Sequence, residues 1–210
     1  MRRRKLVKDY LQPIFLAVLI ALFIRTFIVQ AFRIPSGSME PTLLVGDYLL
    51  VNKFIYGIRI PFTEFKFFQF VKPKRGDVIV FPFPKDPSKD FIKRVIGTEG
   101  EKVEIIDGRI YVNDKLIDDP WGHFENIGSV EYRYTVENFG PVVVPKDSLF
   151  VMGDNRNNSE DSRFWGFLRV HAVLGKAFVI YFSWNGPARD LLDKVRWSRI
   201  GGLIQYQRRM

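Results

Sequence analysis

The longest apolar run lies near the start of the chain: IFLAVLIALFI, residues 14–24, is eleven apolar positions without a break. Continuing through FIVQAF gives a segment of bilayer-spanning length, interrupted only by Arg25, Thr26 and Gln30. A membrane span takes roughly 20 mainly apolar residues, so the pattern predicts a helix over about 10–29. Arg25 then sits near an interface, where its stem reaches back to water. Past residue 30 the pattern changes. YLLVNKFIYG, DVIVFPF, FIKRVIG, KVEIIDGRIYVNDKLI and KAFVIYFSW are rich in β-branched and aromatic residues, punctuated by Gly and Pro. Asp107-Gly108 and Asn113-Asp114 fall between short strands and read as hairpin turns. Helical periodicity is weak there, so residues 30–210 are expected to form a mainly β, antiparallel domain with a β-rich insertion at about 101–145. That insertion ends in a polar, irregular stretch, DDPWGHFENIGSVEYRY. PFTEFKFFQFV, residues 61–71, holds five Phe and reads as a buried strand or hairpin, or as an aromatic edge at a bilayer interface.

Charge sharpens the reading of the N-terminus. The chain of 210 residues carries a formal net charge of +9, and part of the excess sits at its ends. Arg2, Arg3, Arg4, Lys5 and Lys8 open the chain, and Arg208 and Arg209 nearly close it. No helix-turn-helix, zinc-finger or RNA-stacking signature accompanies this charge, so anionic lipid is a simpler partner than nucleic acid. A basic cluster before an apolar segment places residues 1–9 in the cytoplasm and the residues after the segment on the far side. The same basic flank, apolar stretch and small-residue pattern Val29-Gln30-Ala31 also fit a cleavable secretory leader, and flanks and periodicity leave the two readings open. A mature chain beginning at Phe32 would lack the anchor. The clustered cations argue against a buried soluble helix. The absence of cysteine excludes a disulfide scaffold, thiolate zinc and cysteine nucleophiles.

Three clusters carry candidate chemistry. PSGSMEPTL, residues 35–43, sets Ser36 and Ser38 around Gly37, whose backbone freedom lets N–H groups converge on a developing oxyanion. Such turns are mostly structural when they stand alone. A nucleophilic serine needs a base, and the only histidines, His123 and His171, sit in no motif. Lysine is the other choice, provided burial lowers its pKa from the usual value of about 10.4. Lys93 in DFIKRVIG lies among Phe91, Ile92, Val95 and Ile96 and, in a strand, shares a face with Phe91 and Val95. A lone lysine there also fits an exposed edge strand. The third cluster is GDNRNNSEDSR, residues 153–163, in which Asp154, Arg156, Asp161 and Arg163 offer ion pairs that stiffen a polar loop. Its spacing lacks the alternating acidic ligands of an EF-hand.

Together these clusters resemble the bacterial type I signal peptidase family of Ser-Lys proteases. The matches are PSGSMEPTLLVGD (35–47), RGDVIVF (75–81), KRVIG (93–97) and GDNRNNSEDSRFWG (153–166), with a similar tail, RWSRIGGLI (196–204). The resemblance implies Ser38 as nucleophile, Lys93 as general base, Ser36 as oxyanion donor and Ser159 as the group that hydrogen-bonds and orients the Lys93 amine. It implies an Asp161–Arg163 ion pair, with Asp154 and Arg156 bracing the same loop. It places the substrate pocket at Phe32, Ile34, Met39, Leu43, Phe91 and Ile92. It implies signal peptides of secretory preproteins as substrates, cut after a small residue, with no metal or organic cofactor. The implied location is the bacterial cytoplasmic membrane, single-pass, with the N-terminus cytoplasmic and the catalytic domain outside. Asn157 departs from the aspartate common at that place, which implies a changed loop contact. A self-cleaving repressor-like Ser-Lys protein would need a DNA-binding module in place of the apolar segment, and a catalytically silent anchored β domain is the other alternative. The oligomeric state is left open by the sequence.

Overall fold

The computed structural model describes residues 10–59, 66–67, 71–124, 136–188, 190 and 192–204. The basic ends, most of the Phe-rich stretch and residues 125–135 of the insertion lie outside the described residues. The apolar run forms helix α1 (Gln12–Phe27), with Pro in its first turn and none of its residues buried. Its 16 residues span about 24 Å. Among the described residues no helix is long and apolar enough to cross a membrane. The helix also stops short of the boundary expected from the pattern. Val29 already opens β1 (Val29–Arg33), because its backbone pairs with Asn52 and Ile28 accepts a hydrogen bond from the Lys53 amide.

Beyond α1 the chain is built from antiparallel strands. They are β2 (Asp47–Asn52), the short pair β3 (Ile58–Arg59) and β4 (Lys66–Phe67), β5 (Val78–Phe83), β6 (Asp86–Thr98) and β7 (Lys102–Ile106). Then come β8 (Arg109–Val112), β9 (Lys115–Leu116), β10 (Phe139–Val143), β11 (Ser148–Met152), β12 (Leu168–Arg169) and β13 (Gly175–Ser183). Seven of them form one sheet in the order β1-β2-β13-β5-β6-β11-β12. A second sheet, β10-β7-β8-β9, takes its strands from residues 102–143.

Register explains how the large sheet is filled. On β5, Val78 and Val80 point into one apolar cluster with Leu49, Val51 and Ile180, while Ile79 and Phe81 point into another with Val95, Leu149 and Val151. A strand buried on both faces needs apolar residues at every position, and VIVF supplies them. A third cluster joins the two sheets: Ile96, Phe150 and Met152 meet Val103, Ile105 and Ile110. The hairpins of the small sheet turn where the sequence puts them. Asp107 (φ 50°) with Gly108 (φ 74°), and Asn113 (φ 51°) with Asp114 (φ 63°), adopt the left-handed pairs that two-residue hairpins require.

Candidate active site

The serine cluster sits on a loop closed at its base. The Ile34 amide donates to the Asp47 carbonyl at 2.8 Å, and Gly46 donates back to Ile34 at 3.0 Å. Within the loop Gly37–Met39 winds into a short 3-10 turn that buries Ser38 and drives Met39 into the first apolar cluster. Ser36 precedes the turn in extended backbone (φ −134°, ψ 157°), is exposed, and does not cap it. Gly37 does not use the left-handed conformation that its type allows. Asp47 locks the loop: its carboxylate accepts from the Leu44 amide, the Ser183 hydroxyl and both Nε and Nη2 of Arg199. Arg199 also donates to the Thr42 carbonyl, so the C-terminal tail braces the serine loop.

Lys93 reaches this turn from β6, opposite Ile79 of β5. Its Nζ lies 2.8 Å from Ser38 Oγ, and the residue is 3% exposed. The amine also lies 5.2 Å from the centre of the Phe91 ring. Burial in this setting pulls the Lys93 pKa down to about 8, since a desolvated ammonium is disfavoured. Asp161, Asp154 and Glu160 oppose the shift, and Arg163 adds to it.

The polar loop 153–163 closes over the pair, and its ion pairs are matched one to one. Arg163 holds Asp161 through two bonds of 2.9 Å, as the sequence suggests. Asp161 also caps the short helix α2 (Ser162–Trp165) and accepts from the Gly153 amide. Asp154 does not pair within its own loop. It takes two bonds from Arg94 of β6, at 2.8 and 2.7 Å, with both side chains fully buried. Arg156 pairs instead with Asp119, at 2.9 Å from Nη2 to Oδ1. Three buried guanidiniums thus each have a carboxylate, whereas Lys93 has none within ion-pair distance among the described residues.

Ser159 departs from expectation. Its hydroxyl is buried but makes no hydrogen bond among the described residues, so the bond to Lys93 is not formed. Ser159 lies against the bare Cα of Gly153, where a Cβ would come within 2.5 Å of the Ser159 Cβ and also strike the Ser38 carbonyl. The loop touches the serine turn elsewhere: the Asn155 amide donates to that carbonyl at 3.1 Å. Asn157 is buried in the loop. His171 is exposed on a 3-10 turn, Val170–Ala172.

A family model described as signal peptidase, peptidase S26, matches residues 7–184. The chain belongs to the signal peptidase S26 family. It is 37% identical to the signal peptidase I of Pseudomonas aeruginosa, over 96% of this chain and 81% of that one. It is also 37% identical to the signal peptidase I of Aquifex aeolicus, over 87% of each chain. A crystal structure of a signal peptidase I from Enterococcus faecalis V583 matches 50% of this chain and 97% of its own, at 34% identity and a TM-score of 0.41. As a member of this family the protein is a serine endopeptidase.

In this signal peptidase the six expected pocket residues do not share one open surface. Ile34, Met39 and Leu43 are closed inside the first cluster, with Phe32 and Ile92 half-buried at its margin. Phe91 belongs to the cluster on the opposite face, where it stacks on Phe83 at 4.2 Å. Alternation along β6 makes this unavoidable, because adjacent residues point to opposite faces. Four residues that contact this cluster are given no role by the motifs: Arg94, Asp119, Trp121 and Arg199. Arg94 carried a usable signal, since a second cation beside Lys93 on an apolar strand must find a buried anion.

Proposed function

We propose that this peptidase removes N-terminal signal peptides from exported preproteins, with Ser38 as nucleophile and Lys93 as general base. One observation carries the reading: a desolvated lysine amine at 2.8 Å from a serine hydroxyl. The neutral amine accepts the Ser38 proton as Oγ attacks the scissile carbonyl. The Ser36 hydroxyl and the Ser38 backbone N–H stabilise the resulting oxyanion. Lys93 then protonates the leaving amine, the C–N bond breaks, and the signal peptide stays as an ester on Ser38. Water gives a proton to Lys93 and hydrolyses that ester. The walls for small substrate side chains are Phe32 and Ile92, underlain by Ile34, Met39 and Leu43.

The exposed apolar surface of α1, including Phe15, Leu19 and Phe23, supports its use as the membrane anchor together with adjacent residues. The basic residues before it favour the cytoplasmic leaflet and its anionic lipids, which puts the catalytic domain outside the cytoplasmic membrane. The test is direct. Purified full-length protein in detergent micelles cuts a preprotein after a small residue at the end of its signal sequence, read by mass spectrometry of both products. Failure to cut any preprotein of several tried sinks the reading.

A pH profile tests the base separately. Neutral Lys93 increases as pH rises through about 8, so kcat/KM is expected to climb with a midpoint there. The folded pKa lies below that of the unfolded chain, so the unfolded state binds more protons between about 8 and 10.5. Stability therefore gains from this residue as pH rises across the same window. A midpoint near the ordinary lysine value would refute a desolvated base.

A further inference from the structure

We propose that residues 118–124 form a strap that sets the position of the loop at 153–157, with Asp119 as its positioning residue acting through Arg156. In sequence this segment is the polar, irregular end of the insertion, distant from every motif. In space it lies along the loop and pairs with it as a strand would. The His123 amide donates to the Asp154 carbonyl at 2.7 Å, and the Arg156 amide donates back to the His123 carbonyl at 2.7 Å. His123 and Asn155 form a parallel bridge.

Side chains fix the strap at two further points. Asp119 takes a hydrogen bond of 2.9 Å from Nη2 of the fully buried Arg156 onto Oδ1, and its Oδ2 lies 2.5 Å from Nη1 as an ion pair. That guanidinium donates onward from Nε to the Gly153 carbonyl at 3.1 Å, and the Arg156 carbonyl accepts from Arg163 at 2.6 Å. Trp121 lies flat against Arg94, its ring centre 4.2 Å from the guanidinium carbon, beside the ion pair with Asp154. Gly122 permits the approach: a Cβ there would stand 2.7 Å from Arg156 Cζ.

The loop so held is the one whose Asn155 amide bonds the Ser38 carbonyl. A path of direct contacts therefore runs from Asp119 through Arg156 and Asn155 to the nucleophile. Arg156 is buried and has five donors to satisfy, so a carboxylate at this distance does more than screen its charge: it selects one guanidinium orientation. Displacement of the loop by a fraction of an ångström misaligns Ser38 with Lys93, and misalignment of reacting groups falls on kcat more than on KM.

The kinetic part of the test rests on the Ser38–Lys93 reading, and the exchange part does not. Full-length Asp119→Asn, Asp119→Ala and Gly122→Ala are compared with wild type on a preprotein substrate. Each is expected to lower kcat by about tenfold with KM within about twofold. Asp119→Glu, which keeps a carboxylate in reach, is expected to return kcat to within about threefold of wild type. Amide hydrogen exchange at Asn155 and Arg156 is expected to speed up by about tenfold in Asp119→Ala, and to stay at the wild-type rate in Ser38→Ala. Wild-type exchange at those amides in Asp119→Ala overturns the strap whether or not the chain cuts preproteins. It is equally overturned if Glu restores nothing, or if kcat falls only in proportion to the folded fraction.

Discussion

Lys93→Ala is expected to reduce preprotein cleavage by about 10⁴-fold while the chain remains folded, because it removes the base and leaves the rest of the site in place. The fold tolerates the change for a physical reason. Burying an amine is costly, and the 3% exposure of Lys93 shows that nearly all of that cost is incurred. Truncation to alanine relieves the desolvation and leaves a cavity in exchange, two effects of opposite sign. Lys93→Arg is expected to be as inactive as Lys93→Ala, since a guanidinium stays protonated and has no lone pair to offer Ser38. Ser38→Ala should lose as much activity as Lys93→Ala, and the double variant should lose little more, because the two groups act as a unit. The measurement is single-turnover cleavage with the folded fraction determined separately. Cleavage within tenfold of wild type by either single variant would remove that residue from the mechanism.

Arg94→Met carries the second large effect, and it has two readouts. Arg94 and Asp154 are both fully buried, and Arg94 supplies both of the side-chain hydrogen bonds that the Asp154 carboxylate receives. Removing one partner of such a pair strands a charge in low dielectric and costs about 3–5 kcal/mol, visible as a lowered denaturant midpoint. The same change unmasks the negative charge of Asp154, one of the groups that raises the Lys93 pKa. The midpoint of the pH–rate profile should therefore move upward from about 8. Asp154→Asn should move it the other way. Burial is the main cause of this midpoint; Asp161, Asp154 and Glu160 of the polar loop raise it, and Arg163 lowers it. A midpoint unmoved by both changes would show that the pair does not act on the amine.

What could be read from the sequence divides along physical lines. Ser38 and Lys93 stood out as candidates, from a serine turn and from a cation on a strand of Phe, Ile and Val, but each pattern also fits a purely structural residue, and only the resemblance of the ordered motifs assigns them roles. The hairpins at Asp107-Gly108 and Asn113-Asp114 were legible because left-handed backbone restricts residue choice. The partners of the buried charges were not. Asp154 finds Arg94 at a separation of 60 residues and Arg156 finds Asp119 at 37, and no local rule reports such distances. Neighbouring charges within GDNRNNSEDSR made pairing inside the loop look sufficient, and only Asp161 with Arg163 follows that pattern. The helix end was misplaced by two residues for a similar reason: Val29 suits a helix in an apolar run, but the backbone of Asn52 offers it a ladder.

The short passage from α1 to the serine turn has a mechanical consequence. Ser38 follows Phe27 by eleven residues, five of them paired in β1 and the last two, Gly37 and Ser38 itself, wound into the 3-10 turn. A loose tether of that length would let its ends wander over roughly 18 Å. Here the ladder with β2 takes up nearly all of that slack, so the helix acts as a stem and Ser38 as a fixed point upon it. Under the proposed anchoring, a stem held in a bilayer would make the height at which cutting occurs a built-in gauge. A preprotein would then be measured by how far its scissile bond stands from the membrane as well as by the side chains it presents.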